Sequence, residues 1–262
     1  MKIGIIGVGN IGKAIVSGLA KSAFVPEENI VISDIEKSNL ELIKSSFPKI
    51  QSSTENKTAA QADIVIVAVK PWLVGGVLTE IAPLLETSRP ILVVVAAGVS
   101  FEQIYDKLPE NLSNLPCYRF IPNTAIALRE SMSLLSAANT TPEQDKLMMG
   151  MLKKLGKAVL IHPDMMAAGT SLTSCGTGFA LQFIKANVQV AIEMGFTPEQ
   201  ATELIAQTVK GAAELLLNNK TTPEVEIRKV TTPGGITIRG LNEMEASGFT
   251  ASVIKGIKAS LL

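Results

Sequence analysis

A short apolar strand running straight into Gly7-Val-Gly9-Asn-Ile-Gly12 constrains this chain more than any other stretch. Residues 2–6 read as the strand and residues 13–23 as the helix that follows. This is the dinucleotide fingerprint in its required setting of strand, G-x-G-x-x-G and helix. Gly7 permits the tight turn, Gly9 lets a pyrophosphate approach the backbone, and Gly12 lets the helix pack close to the strand. The same stretch without a ligand would be a βα turn that holds no phosphate.

The next segments continue an α/β pattern. Residues 29–33 form a second strand, and Asp34 stands about where an acidic residue would hold the ribose hydroxyls of NAD. Ser33 and Lys37 beside it suit the extra phosphate of NADP instead, so the two signals conflict. Residues 48–52 are a weaker element. Residues 63–69 and 91–95 are nearly continuous apolar strands, as expected in a parallel sheet covered on both faces. They end in Lys70-Pro71 and in Ala96-Ala97-Gly98, small or polar residues where a nicotinamide ring would rest. Residues 118–121, 131–137 and 158–161 complete the strands. A helix over 142–155 is predicted to end on Gly156 as its C-cap.

After His162-Pro163 the β-branched runs give way to Ala, Leu, Gln and Glu at helical spacing. The predicted fold is therefore α/β, a Rossmann-type dinucleotide-binding domain over 1–162 followed by an all-α domain over 163–262. Residues 164–195 read as a long helix interrupted by small residues over 171–178. Residues 198–217 form an amphipathic helix with Ala201, Leu204, Ile205, Thr208, Ala212 and Leu215 on one face. Further helices start near Pro223, at Thr232 and at Thr250. Such an apolar helical half points to a face buried in a partner subunit.

Within that half, Val230-Thr-Thr-Pro-Gly-Gly-Ile-Thr237 stands apart. Thr141-Pro142, Thr197-Pro198 and Thr222-Pro223 are each followed by Glu, and the first two then by Gln, as in a capping box. In the fourth Thr-Pro pair Gly234 and Gly235 replace Glu and Gln. Read as a helix start, Thr232 is the N-cap and Pro233 the first helical residue. Two glycines there cost about 1 kcal/mol each relative to Ala. They leave N–H groups bare for an anion such as a carboxylate, with Thr237 in the next turn to offer a hydroxyl. The alternative is a turn ahead of an unusual helix start.

Composition narrows the function classes. The formal net charge is +0 with no basic run, which argues against nucleic acid as a partner. No apolar run reaches membrane-spanning length, and no signal peptide precedes the first strand, so a soluble, cytoplasmic protein is expected. One histidine and two widely separated cysteines leave little for a His-centred triad or a metal site, and no metal is expected.

These pieces assemble into a pattern. The chain resembles the pyrroline-5-carboxylate reductase family over essentially its full length. The matching stretches are IGVGNIG (6–12), Asn56, AVKP (68–71), AAGVS (96–100), PNT (122–124), GTG (176–178) and VTTPGGIT (230–237) followed by GLNEME (240–245). The resemblance implies an NAD(P)H-dependent oxidoreductase, NADPH preferred and NAD possible, that reduces a cyclic imine carboxylate to proline. It implies cofactor contacts at Ile6, Gly7, Gly9, Asn10, Ile11, Gly12, Ser33, Asn56, Ala68, Val69, Lys70, Pro71, Ala96, Ala97 and Asn123. It implies substrate contacts at Thr232, Gly234, Gly235 and Thr237, with Thr237 the catalytic hydroxyl on the ring nitrogen. It also implies a homodimer, stacked in some members into a decamer, with the substrate loop of one subunit facing the cofactor domain of its partner. The chain departs from the family's S-G-S-G-P-A-Y at residues 174–181, has Ala125 where a Pro usually follows PNT, and has Lys185 at a family Glu.

Two other readings compete. A β-hydroxyacid-type dehydrogenase shares the domain plan, but its catalytic Lys position is held here by Gln182, with Lys185 nearly a turn away. A non-catalytic sensor that kept the dinucleotide site fits less well with Gly234, Gly235 and Thr237 all in place.

Overall fold

The first half of the chain folds into strands joined by helices. They are β1 (Ile3–Ile6), β2 (Ile30–Ser33), β3 (Gln51–Ser53), β4 (Ile64–Val67), β5 (Ile91–Val94), β6 (Cys117–Ile121), β7 (Ser131–Ala138) and β8 (Gly156–Leu160). The computed structural model describes residues 1–261. The strands form one sheet in the order β3-β2-β1-β4-β5-β6-β7-β8. β3 through β6 are parallel, β7 runs antiparallel to β6, and β8 is parallel to β7. The chain order reverses between β1 and β4. In an open α/β sheet a ligand crevice lies at such a switch point, beyond the carboxyl ends of the strands.

Alternation along each strand sorts the core into two layers. Ile3, Ile5, Ile30, Ile32, Ile64, Ile66 and Val93 face one side, under α1 (Asn10–Ser22), α2 (Lys37–Ser46) and α6 (Pro142–Lys153). Ile6, Val31, Val65, Val67, Leu92 and Val94 face the other, under α3 (Asn56–Ala59), α4 (Pro71–Ser88) and α5 (Phe101–Tyr105). The α3 helix lies directly on β1, because a Cβ at Gly4 would stand 1.8 Å from the Ala59 carbonyl oxygen.

Gly156 departs from its predicted role. The α6 helix is capped by Lys154, and Gly156 opens β8 at φ +134°. The close approach of Ser131 explains the glycine: an added Cβ would meet the Ser131 backbone oxygen at 2.3 Å.

The chain divides into one unit of Met1–Ser174 and a second of Cys175–Ser260. The first unit continues past the expected boundary at His162, because Met166 on α7 (Met166–Thr170) is buried against Ile121 and Leu134 of the sheet. The predicted interruption of the long helix is a π-turn over Ser171–Cys175, between α7 and α8 (Gly176–Glu193). Helices α9 (Pro198–Asn219), α10 (Pro223–Val230), α11 (Ile236–Ala246) and α12 (Phe249–Ala259) complete the second unit. Phe183 of α8 meets Phe249 of α12 edge to face at 6.2 Å. Most of the predicted apolar face of α9 is uncovered. Ala201 is buried, whereas Leu204 and Leu215 are 48% and 45% exposed. No helix among the described residues is long and apolar enough to cross a membrane.

Candidate functional site

The glycine loop shows why each glycine stands where it does. Gly7 has φ +89°, and its N–H donates to the Ser33 carbonyl at 2.8 Å. A Cβ there would press on Val69 Cγ1 at 2.7 Å. A Cβ on Gly12 would lie 2.0 Å from the Gly7 carbonyl oxygen, so α1 can cross β1 this closely only with glycine. Gly9 is different. It is the N-cap of α1, makes no side-chain cap, and a Cβ on it would meet nothing within 4 Å. The bare helix start therefore opens on free space, with amides and dipole available to a phosphate. Ile6 is fully buried beneath the loop, while Asn10 is exposed and Ile11 half-buried beside it. This arrangement fits a dinucleotide.

Asp34 closes the loop from the neighbouring strand. Its Oδ2 accepts the Val8 N–H at 2.7 Å and its Oδ1 the Glu36 N–H at 2.9 Å. Ser33 does not reach the surface: it is fully buried, and its hydroxyl donates to Asn56 Oδ1 at 3.2 Å. Through this bond Ser33 supports Asn56, since a strand residue paired on both sides points into the layer under α3. Asn56 in turn donates to Glu80 Oε2 at 2.8 Å. Glu80 lies exposed on α4, and no local pattern in the sequence singles it out.

Further along the carboxyl edge, Ala68 and Ala96 are buried, Val69 and Ala97 half-buried, and Lys70 and Pro71 exposed at the start of α4. Arg119 on β6 is a feature the sequence did not flag. Its guanidinium lies 5.7 Å from the Phe101 ring centroid, and burial pushes its pKa down. Cys117, fully buried below it, has its thiol pushed up by burial and is no nucleophile. No group of His, Cys, Asp and Glu among the described residues could hold a metal ion.

In the second unit, the stretch around Gly234 takes the turn alternative. The N-cap is Gly235, not Thr232, and α11 begins at Ile236. Thr232 through Gly235 form a tight turn closed by the Gly235 N–H donating to the Thr232 carbonyl at 2.9 Å, with Gly234 at φ +71°. Pro followed by a residue of positive φ is the pattern of a type II turn, and that φ is incompatible with a right-handed helix. A Cβ at Gly235 would stand 2.5 Å from Thr232 Oγ1. The Gly235 N–H is therefore committed inside the turn. The amides left bare are those of the first helical turn, Ile236, Thr237 and Ile238. Thr232 and Thr237 are both exposed.

Two family models match this chain. Residues 163–262 match the one described as pyrroline-5-carboxylate reductase dimerisation, and residues 2–98 the one described as NADP oxidoreductase coenzyme F420-dependent. The pyrroline-5-carboxylate reductase of Methanosarcina acetivorans is 33% identical over 98% of this chain and 94% of its own length. The chain belongs to the pyrroline-5-carboxylate reductase family. Pyrroline-5-carboxylate reductase 1 of Dictyostelium discoideum is 36% identical over 98% of this chain, which spans 48% of that relative's length. Among solved structures, the 1-pyrroline-5-carboxylate reductase of Streptococcus pyogenes superposes with a TM-score of 0.86 at 28% identity, covering 100% of this chain and 96% of that one.

Against the family pattern, the departure at Ala125 has a visible consequence. Asn123 Oδ1 accepts the Ala125 N–H at 3.1 Å, a bond that a Pro, lacking an N–H, could not make. Asn123 Nδ2 donates to the Thr173 carbonyl at 3.0 Å, inside the π-turn. Asn123 is 9% exposed, and both ends of its amide are used within the protein. Asn123 thus ties the PNT stretch to the π-turn.

Proposed function

We propose that this chain catalyses hydride transfer from NAD(P)H to the C=N carbon of 1-pyrroline-5-carboxylate, giving L-proline in the last step of proline biosynthesis. The observation that carries this reading is the pair of bare helix starts: Gly9 of α1, open to a pyrophosphate, and the Thr232–Gly235 turn ahead of α11, open to a carboxylate. Family membership supports it.

The cofactor is NADP(H), which supplies the hydride. In the first unit Gly7, Gly9, Asn10, Ile11 and Gly12 cradle the pyrophosphate, and Asn56 stands at the ribose. Ala68 through Pro71 and Ala96-Ala97 form the floor for the nicotinamide. Ser33 acts on the ribose corner only through Asn56. In the second unit the first-turn amides of α11, with the Gly234 N–H, hold the substrate carboxylate, aided by the helix dipole. The Thr237 hydroxyl, in that same first turn, hydrogen-bonds the ring nitrogen. An iminium is already electrophilic, so holding the ring in place contributes most of the acceleration. No strong acid is required, in keeping with the buried Cys117 and half-buried Tyr105, both raised by desolvation, which take no part.

The uncovered apolar side chains of the helical unit, Leu204, Leu215, Val253 and Ile254 among them, support a homodimer through this unit. Stacking of dimers into a decamer and a cytoplasmic site of action complete the proposal.

Carboxylate capture makes a direct test. Proline is expected to inhibit turnover competitively against the imine, and pyrrolidine, the same ring without the carboxylate, is expected to inhibit at least about tenfold more weakly, the scale of one charged hydrogen-bonded group. Equal inhibition by the two rings would remove the role given to the α11 start.

A further inference from the structure

We propose that Arg119 and Ser136 form a binding site for one small monovalent anion, of halide or formate size, on the face of the sheet beside Phe101. The two residues are register partners on β6 and β7. Side chains of such a pair leave an antiparallel ladder on the same face, with Cβ atoms about 5 Å apart. That face is the one of Cys117 and Ile121, which flank Arg119 along β6.

Both side chains carry polar atoms that the protein leaves unmatched. Ser136 is fully buried, and its Oγ makes no hydrogen bond with a described residue. The Arg119 Nε is shut off from solvent and is likewise unbonded. The guanidinium forms no ion pair with any described Asp or Glu. Phe101 attracts its charge, with the ring centroid 5.7 Å from Cζ, but a ring supplies no lone pair for the N–H groups.

These features narrow the occupant. A guanidinium keeps its charge, so burial is not relieved by shedding a proton. Burial pushes its pKa down, and Cys117, the titratable neighbour that acts on it, is itself pushed up by burial and supplies no counter-charge. A charge held partly out of water is costly unless it is paired. The Nε–H can only donate, and the Ser136 hydroxyl is free to donate, so the matching group accepts and is negative. A water would answer the hydrogen bonds and leave the charge unmatched. One positive charge calls for one negative charge, and buried Cys117 and Ile121 on either side keep the occupant small.

Bromide serves as the probe, because its anomalous scattering separates it from water. In crystals of the full chain with NADPH grown in sodium bromide, a bromide peak is expected against both Arg119 Nε and Ser136 Oγ. In solution, bromide replaces gluconate at constant ionic strength. It is expected to raise the thermal midpoint of the wild type by about 3 °C or more at tenfold above half-saturation. Ser136→Ala should lose most of that rise. This variant removes only an oxygen that no described residue bonds, so it keeps the fold even if Arg119→Gln does not. Half-saturation is expected below about 50 mM. Equal rises in the wild type and Ser136→Ala overturn the proposal. So does a bromide-grown crystal with water alone at the pair, or with a carboxylate of a second copy seated on the guanidinium. Half-saturation above about 50 mM likewise overturns it, leaving an adventitious ion only.

Discussion

Gly12→Ala is expected to abolish measurable dinucleotide binding and to lower the thermal midpoint, whereas Gly9→Ala should lose dinucleotide affinity at an unchanged midpoint. The contrast follows from what a methyl group meets. At Gly12 it would lie 2.0 Å from the carbonyl oxygen of Gly7, a backbone atom that moves only if β1, its turn or α1 moves. Forcing an extra group into packed structure costs about 1–3 kcal/mol, and a backbone clash belongs at the upper end. The gain of about 1 kcal/mol from replacing Gly by Ala within a helix offsets only part of that. For a chain of this size each kcal/mol shifts the midpoint by roughly 2–4 °C. At Gly9 the methyl group meets nothing within 4 Å, and φ is −65°, so folding is indifferent to it. It would occupy the space assigned to the pyrophosphate. Thermal unfolding of the two variants, paired with a titration of NADPH, separates the effects. Equal loss of stability in both would contradict the division of labour assigned to the loop.

Thr237→Ala is expected to cut kcat at least about tenfold, or roughly 1.4 kcal/mol of barrier, with little change in stability. Thr237 is exposed in the first turn of α11, where a substitution usually changes stability by no more than about 0.5 kcal/mol. Its loss therefore reads as lost chemistry. The hydroxyl is assigned to the ring nitrogen, so Thr237→Ser, which keeps it, should recover most of the rate. Carboxylate capture falls to amides that the substitution leaves in place, so competitive inhibition by proline should persist in Thr237→Ala. Unchanged kcat and KM in that variant would remove its catalytic role.

The sequence carries these positions with unequal clarity. Strands such as Ile64–Val67 and Ile91–Val94 are legible because a strand covered on both faces is apolar at every position. Thr141 and Thr197 are legible as helix starts, and each forms its full capping box with Gln144 and Gln200. Thr222 has the same Thr-Pro-Glu opening yet makes no side-chain cap, and Val225 stands where Gln144 and Gln200 complete the other two boxes. The Thr232 stretch was legible as unusual, with a helix start and a turn ahead of one both left open. The choice between a first helical turn and a type II turn rests on the φ of Gly234, which glycine leaves open. Ser33 and Asn123 sit at positions suited to a ligand, and their three-dimensional partners, Asn56 and Thr173, carry no signal in the sequence. Glu80 and Arg119 carry no local signal, since the first depends on a contact between α3 and α4 and the second on the ring of Phe101.

The most direct measurement is the oxidation of NADPH, and separately of NADH, on addition of 1-pyrroline-5-carboxylate to the purified chain, with the product identified by mass. Rapid oxidation of NADPH with stoichiometric proline is the predicted result. Folded protein that binds NADPH but oxidises neither dinucleotide in the presence of the imine would contradict it.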